Sequence, residues 1–273
     1  MLKKRLITAA FLVAMAFFLL YFGRLVLATG ALACLTFALY EEYRALGKAG
    51  HRPVSWPTWL ATILCIPLAA IFGHKVVVPI LMAASLLTIV CVLFRKDPQL
   101  EDALMSLLPL FSILLPGLSV LSLALIEPLS VQRTLFALLV AVPVLGDSMA
   151  FLVGSRMKGP KFCPEVSPNK TISGAVGGLI GSLFGAMAIG LIARLMCAPT
   201  TWPMLPTWWQ YLLIGLIGGA AAQMGDLFAS LVKRHCGIKD FSNLFPGHGG
   251  MLDRLDSILF MAIVVLCFRL ITG

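Results

Sequence analysis

The chain has 273 residues, of which 60% are apolar and only 12% are charged. Because roughly 25% of the residues in soluble globular domains are charged, this composition excludes a soluble domain and predicts an integral membrane protein. The formal net charge is +9 at pH 7. We expect this excess to reflect membrane topology first and attraction to anionic lipid or phosphate second, and we expect no nucleic-acid partner.

The apolar runs predict an all-α, polytopic membrane protein. A crossing needs ~20 apolar residues, or ~17 at the short end. Nine runs qualify, near residues 6–22, 25–40, 58–73, 76–94, 103–126, 134–153, 174–196, 210–232 and 257–272. The first run is too long for a signal peptide and has no cleavage site, so we expect a retained span. Pro116 and Gly117 interrupt the fifth run, whose freed backbone groups need partners inside the protein.

The basic residues predict the orientation of these spans. With the N-terminus in the cytoplasm, 16 lysines and arginines fall in cytoplasmic segments and 5 fall on the other side. Cytoplasmic loops carry the Lys/Arg excess. The sequence therefore predicts a cytoplasmic N-terminus and a C-terminus on the opposite side.

Polar chemistry is concentrated in the second half of the chain. We divide the sequence into N-terminal transmembrane helices, 1–133, and a C-terminal catalytic region, 134–273. The linkers between the first five spans are short and carry little chemistry, whereas loops 154–173 and 233–256 are rich in Gly, Pro, Lys and Asp. Loops this long in a compact bundle are usually functional, and both are predicted to face the cytoplasm.

Four aspartates are candidate cation ligands. Asp147 and Asp226 each follow a glycine at the end of a span, where an ionised carboxylate costs roughly 2.5 to 3.5 kcal/mol if it reaches the helix centre. Asp253 and Asp256 are three residues apart, so on a helix that begins near this point they share a face. Mg²⁺ commonly takes one or two carboxylates together with phosphates and water. Alternatively, the last two aspartates only complement the dipole of a helix N-terminus.

Basic and hydroxyl side chains accompany the second of these aspartates. Asp226, Ser230, Lys233 and Arg234 recur at helical spacing and so lie along one stripe. This stripe predicts phosphate binding beside a cation. The simpler alternative is a snorkelling basic helix end with an internally paired aspartate.

The loop before the last span has the composition of an anion site. Gly247, Gly249 and Gly250 permit positive φ, and backbone N–H groups that lead into a helix N-terminus predict an anion cradle. Lys239 and Arg254 add positive charge suited to a polyphosphate. The glycine spacing excludes a Walker loop.

Two further residues and one segment have two possible interpretations each. His248 is either a phosphate or metal-shell contact or a hydrogen-bond donor within the turn, and Asp240 is either a substrate contact or a solvated charge. In the earlier loop, the segment SPNKTISG places Ser167, Lys170 and Thr171 ahead of a glycine-rich helix. This segment predicts a turn and a helix start, with either a phosphate site or simple capping.

The segment SLVKRHCGIKDFSNLFPGHGGMLDRLD, residues 230–256, resembles the signature of phosphatidate cytidylyltransferases (CDP-diacylglycerol synthases). It has the serine, Lys-Arg, Lys-Asp, Pro-x-His-Gly-Gly and Asp-Arg-x-Asp at their fixed positions. The residue pair GD at 225–226 and the segment SPNKT at 167–171 are similar to further elements of this family. The N-terminal half matches only as hydrophobic helices.

The resemblance implies a reaction in which CTP and phosphatidate give CDP-diacylglycerol and pyrophosphate with Mg²⁺, and it leaves room for a second cation. It also implies a polytopic homodimer among membrane lipids, active at the cytoplasmic face of a bacterial inner membrane. The phosphate of phosphatidate would attack the α-phosphorus of CTP in line, so no protein nucleophile is needed.

The resulting role assignments are as follows. The expected cation ligands are Asp226, Asp253 and Asp256, with Asp147 as a contributor. The expected catalytic residues are Asp226, Asp253, Asp256, Lys239 and Arg254. The expected substrate contacts are Ser167, Lys170, Thr171, Ser230, Lys233, Arg234, Asp240, His248, Gly249 and Gly250.

Two alternatives remain open at the level of the sequence. One is transfer of the cytidylyl group to another membrane lipid phosphate, because only the apolar groove would differ. The other is an ion or solute transporter, in which charged residues also lie near broken helices. A transporter would place acidic residues near the midplane on several helices, whereas here the polar residues are predicted on one face.

Overall fold

The computed structural model describes residues 21–72 and 76–272 as a bundle of long helices. Six of its helical stretches are long and apolar enough to cross a membrane. Two more helices have 17 residues each, which is the short end of the range for a crossing, ~17 residues. The prediction of an all-α integral membrane protein is confirmed. The predicted span 6–22 lies almost wholly outside the described residues.

The first half of the described chain contains five helices, α1 to α5. Their bounds are α1 Arg24–Lys48, α2 Trp56–Phe72, α3 Val77–Leu93, α4 Leu100–Pro109 and α5 Leu115–Ala124. One π-helical turn, Leu110–Leu114, joins α4 to α5 without a break. The interrupted fifth span is therefore one continuous stretch.

The π turn explains how this stretch tolerates proline. Pro116 has no N–H group and cannot make an ordinary helical hydrogen bond, and π turns are a common way to absorb such a disruption inside a helix. The neighbouring Gly117 lets α1 approach closely, since a Cβ there would collide with the side chain of Leu35. Pro116 and Gly117 are both buried inside the bundle, and partners for the freed backbone groups stay a prediction.

The second half contains helices α6 to α10 and one small sheet. The bounds are α6 Leu129–Met157, β1 Lys161–Cys163, β2 Ser167–Thr171, α7 Ile172–Met196, α8 Trp208–Leu213, α9 Gly219–His235 and α10 Leu252–Thr272. A 3-10 turn, Pro199–Met204, precedes α8, and a π turn, Ile214–Gly218, joins α8 to α9.

The antiparallel pair of β1 and β2 corrects one expectation. The segment SPNKT was predicted as a turn, but it is a strand in which Ser167 lies opposite Cys163 and Thr171 opposite Lys161. The pairing satisfies backbone groups in a segment too polar to enter the bundle. The predicted helix start is confirmed, because α7 begins at Ile172 with Thr171 as its N-cap.

The loops with most of the basic residues collect at one end of the bundle, here called the basic end. His51 lies 2.8 Å from His235 between their Nε2 atoms, which joins the α1–α2 loop to the end of α9. Arg234 Nε donates to the Val166 carbonyl at 3.4 Å, which joins α9 to the β hairpin. Gly23 and Met204 line a shared cavity at the other end.

Helices α6, α7 and α9 are held together by polar contacts that are buried or partly buried. Ser182 of α7 donates to the Val142 carbonyl of α6 at 3.1 Å. Gln223 of α9 donates to the Ala175 carbonyl of α7, also at 3.1 Å. Small residues line these contacts, and they allow helix backbones to approach closely in a membrane. The three helices therefore present their basic-end residues at fixed relative positions.

Candidate active site

Helices α9 and α10 touch at a glycine next to the first signature aspartate. A Cβ on Gly225 would collide with the Asp256 carbonyl and lie 3.0 Å from the ring of Phe260. Only glycine permits this backbone approach. Asp226, the next residue, is therefore brought beside the first turns of α10.

Three aspartates and two basic residues gather at this contact, and we call this group the acidic cluster. Its members are Asp147, Lys170, Asp226, Arg254 and Asp256. Asp226 is an electrostatic neighbour of both other carboxylates, and Arg254 is close enough to interact with Asp147 and Asp256. Lys170 Nζ forms an ion pair with Asp226 Oδ2. The β hairpin, α6, α9 and α10 thus converge on one polar site.

The carboxylates of the acidic cluster have few protein partners. Asp256 Oδ1 accepts hydrogen bonds from the neighbouring Ser257, with the backbone N at 2.7 Å and Oγ at 3.4 Å. Within residues 21–72 and 76–272, Asp147 has no hydrogen-bond partner. A carboxylate can accept about four hydrogen bonds. The acidic cluster therefore retains oxygen atoms that are free to bind a ligand.

Asp253 has different surroundings, although it is only one turn before Asp256. Its Oδ1 accepts from Lys233 Nζ at 2.8 Å, and its Oδ2 accepts from the backbone N of Phe241 at 2.9 Å and of Gly250 at 2.8 Å. The Asp253 side chain is 3% exposed and that of Lys233 is 13% exposed. We expected a metal cation between Asp253 and Asp256. In this structure the cation beside Asp253 is the ammonium group of Lys233.

A second buried carboxylate reaches this loop from the first half of the chain. Glu41 of α1 accepts from Ser242 Oγ at 2.5 Å and Met251 N at 3.0 Å through Oε1, and from Leu252 N at 2.8 Å through Oε2. Glu41 is 4% exposed. We call Glu41, Lys233, Asp253 and the backbone N–H groups of residues 250–252 the anchor cluster.

These contacts correct the predicted anion cradle. Gly249 has a φ of +81°, as expected for this turn. However, the N–H groups of Gly250, Met251 and Leu252 all donate to Glu41 or Asp253. Since one N–H group cannot serve both a buried carboxylate and a phosphate well, these three groups are not available to a ligand.

The remaining predicted residues occupy several positions around the two clusters. Thr171 is buried, and its Oγ1 accepts from Gly174 N at 3.1 Å, so the hydroxyl has the simpler of the predicted roles, capping. The Nδ1 atom of His248 is buried without a hydrogen-bond partner in the described part of the chain. Lys239 and Asp240 are exposed on the α9–α10 loop, and Ser167 and Ser230 are half-buried.

Sequence reasoning missed Glu41 and Glu42. Glu42 is 1% exposed, accepts from Ser112 Oγ at 2.9 Å and lines a small cavity together with Asp256. The signal was present, because two adjacent glutamates at the end of an apolar span need buried partners. The predicted span ended at residue 40, which placed both residues in a linker.

The described residues fit a cation held partly by substrate. Among residues 21–72 and 76–272, no three His, Cys, Asp or Glu side chains are close enough to hold one metal ion together. Asp226 and Asp256 are charge neighbours with oxygen atoms to spare. One or two carboxylates, with phosphates and water in the other positions, are the usual ligand set for Mg²⁺.

The chain is similar to known phosphatidate cytidylyltransferases over about half of its length. Three phosphatidate cytidylyltransferases align with it. That of Brucella abortus is 39% identical over 156 residues, which cover 56% of this chain and 53% of the relative. That of Bacillus subtilis is 40% identical over 116 residues, or 42% and 39% of the two chains. That of Staphylococcus saprophyticus is 38% identical over 127 residues, or 46% and 45%.

The aligned part of the chain spans about half the length of these curated relatives, or less. The family model covers more of the chain than these pairwise alignments do. The model described as "Cytidylyltransferase family" matches residues 3–272. That range includes α1 with Glu41, the hairpin with Lys170 and the whole signature segment. This chain therefore belongs to the cytidylyltransferase family.

Proposed function

We propose that this protein transfers the cytidylyl group of CTP to phosphatidate, giving CDP-diacylglycerol and pyrophosphate for phospholipid biosynthesis. One observation carries the proposal: the signature segment 230–256 folds so that its Asp256 lies beside Asp226, and Asp226 is ion-paired with Lys170 of the other polar loop. The family and the names of the similar proteins support the same reaction.

The proposed step needs charge stabilisation and no protein nucleophile. A phosphate oxygen of phosphatidate attacks the α-phosphorus of CTP, the bond from that phosphorus to the bridging oxygen breaks, and pyrophosphate leaves with the bond electrons. Catalysis of such transfers rests on positioning and on neutralising phosphate charge. Arg254, Arg234 and Lys239 are exposed at the basic end, where they would contact substrate phosphates.

Magnesium is the proposed cofactor, with room for a second cation. Asp226 and Asp256 would hold it, and Asp147 would contribute charge. When bound, the ion neutralises phosphate charge and orients the oxygens that it contacts. Lys170 is the counter-ion of Asp226 in this structure, so a cation at Asp226 would free its ammonium for a phosphate. Asp253 has three protein donors, so its proposed role is to hold Lys233 and the glycine turn.

The proposed topology has nine transmembrane helices with the N-terminus in the cytoplasm. The basic end would face the cytoplasm of a bacterial inner membrane, because Lys and Arg are enriched in cytoplasmic loops. CTP would then reach the acidic cluster from the cytoplasm and phosphatidate from the bilayer. We also propose a homodimer, as the family resemblance implies.

The test is turnover by the purified protein in mixed phosphatidate micelles with labelled CTP and Mg²⁺. The proposal predicts labelled CDP-lipid and pyrophosphate in equal amounts. Parallel reactions with an isoprenoid phosphate and an ether-lipid phosphate would identify transfer to another lipid. A folded protein that makes no labelled lipid from any of these acceptors would overturn the proposal and favour a transporter.

A further inference from the structure

Glu41 joins the first described helix to the beginning of the last one. Its two carboxylate oxygens accept from Met251 N and Leu252 N, at 3.0 and 2.8 Å, just where α10 begins. The residues are more than 200 positions apart in the chain. Glu41 therefore caps a helix that belongs to the other half of the molecule.

The contact is too close to be incidental. A Cβ on Gly250 would lie 2.6 Å from each carboxylate oxygen of Glu41, so the carboxylate rests directly on the glycine turn. Ser242 Oγ adds a third donor from the α9–α10 loop. An anion at a helix N-terminus is stabilised both by the free N–H groups and by the helix dipole. Glu41 thus fixes both the position of the turn and the first turn of α10.

We infer that Glu41 is a positioning residue for the proposed transfer reaction, acting through α10 on Arg254 and Asp256. This inference rests on the proposed function. The first two turns of α10 carry Arg254 and Asp256, which are members of the acidic cluster. Their placement depends on where the helix begins, and Glu41 determines that point together with Asp253. A shift of about 1 Å in a positioned group can lower a rate roughly 10²-fold.

Asp102 provides a matched control. It is also 4% exposed, it lies at the basic end, and it accepts from a backbone N–H, that of Arg52, at 2.9 Å. Its ion-pair partners are Arg52 and Arg95, at 3.4 and 3.2 Å. It therefore resembles Glu41 in burial and hydrogen bonding, but within the described residues its side chain makes no hydrogen bond or ion pair with α10 or the loop before it.

The experiment compares Glu41→Gln, Glu41→Ala and Asp102→Asn in the full-length protein in detergent. Amide hydrogen exchange of residues 241–256 is measured first, because this readout does not require activity. Both Glu41 variants should exchange faster in this segment, with Ala faster than Gln, whereas Asp102→Asn should match the wild type there. Glu41→Gln keeps the size and one acceptor oxygen, so it covers the case in which the Ala variant does not fold.

The second readout is steady-state CDP-lipid formation at a temperature where all variants are folded. We expect kcat to fall roughly 10²-fold in Glu41→Ala, with partial rescue in Glu41→Gln and with a raised Mg²⁺ requirement in both. Asp102→Asn should stay within about twofold of the wild type, since its effect is confined to stability. The inference would be overturned if the amides of residues 241–256 exchanged as slowly in the Glu41 variants as in the wild type. It would also be overturned if they exchanged faster while kcat and the Mg²⁺ dependence were unchanged. A wild type without turnover would instead refute the proposed function, and hydrogen exchange would still test the Glu41 contact.

Discussion

The anchor cluster includes Asp253 on the first turn of α10 and the acidic cluster includes Asp256 on the next turn, yet the carboxylates of the two clusters have different partners. In the anchor cluster, Glu41 and Asp253 together accept six hydrogen bonds from the protein. In the acidic cluster, Asp256 is hydrogen-bonded only to its neighbour Ser257 within the described chain, and Asp226 has one ion pair, with Lys170.

This difference separates two uses of a buried acidic group. A carboxylate whose lone pairs are filled by protein donors can hold a loop, and removing it leaves the donors unsatisfied. A carboxylate that has free lone pairs and lies beside other carboxylates is repelled by them in the free protein. A bound cation offsets this repulsion. The comparison predicts that changes in the anchor cluster lower stability and affect turnover only indirectly, through the position of α10. Changes in the acidic cluster should lower turnover directly and leave stability nearly unchanged.

The largest expected effect on stability is that of Asp253→Asn. The substitution leaves the Lys233 ammonium without its counter-ion in a largely buried position, and breaking a buried pair by removing one partner costs about 3 to 5 kcal/mol. Thermal unfolding in detergent should show a clearly lowered midpoint. A wild-type midpoint would contradict the anchoring role.

The largest expected effect on turnover is that of Asp256→Asn. Losing one preorganised charge contact in a site of this kind lowers kcat roughly 10² to 10³-fold. The unfolding midpoint should stay close to that of the wild type, because Asp256 has few protein partners. Labelled CDP-lipid formation measures the rate, and near-normal turnover with unchanged Mg²⁺ dependence would remove Asp256 from the site.

A smaller loss of stability is expected for Gly250→Ala. The new Cβ would lie 2.6 Å from both oxygens of Glu41, and such overpacking typically costs about 1 to 3 kcal/mol. Gly47→Ala is the control, since a Cβ at that helical position meets nothing within 4 Å. Equal unfolding midpoints for the two variants would show that the turn does not rest on Glu41.

The smallest expected effect is that of Lys239→Gln. The side chain is exposed on the α9–α10 loop, so the change in stability should be within about 0.5 kcal/mol. Loss of a charge-assisted phosphate contact worth about 1.5 kcal/mol should raise the KM for CTP or phosphatidate roughly tenfold. Lys48→Gln, at the exposed end of α1, is the control, and identical KM values for the two variants would exclude Lys239 from phosphate binding.

Much of the fold could be predicted because it depends on local properties of the sequence. Apolar run length located the described helices, and the spacing of Asp253 and Asp256 placed a helix start close to the observed one at Leu252. The strand pair at SPNKT could not be predicted, because it depends on backbone pairing with residues 161–163. The same holds for the π turn that accommodates Pro116.

The different surroundings of Asp253 and Asp256 could not be read from the sequence either. Both are aspartates on the same helix, and their roles depend on which side chains arrive from α1, α9 and the hairpin. Glu41 was missed for this reason, since nothing local links it to the glycine turn. Residue types thus indicated where the site is, and tertiary contacts determined which of its residues hold the loop and which are free to bind a ligand.

The most direct test of the different roles of Asp253 and Asp256 is to measure Mn²⁺ binding in the presence of CTP by electron paramagnetic resonance. The proteins compared are the folded wild type, Asp253→Asn and Asp256→Asn. Mn²⁺ replaces Mg²⁺ here as a spectroscopic probe. The account predicts that Asp256→Asn weakens Mn²⁺ binding by about tenfold or more, which corresponds to about 1.4 kcal/mol, and that Asp253→Asn changes it far less. Unchanged Mn²⁺ affinity in Asp256→Asn, or an equal loss in Asp253→Asn, would contradict it.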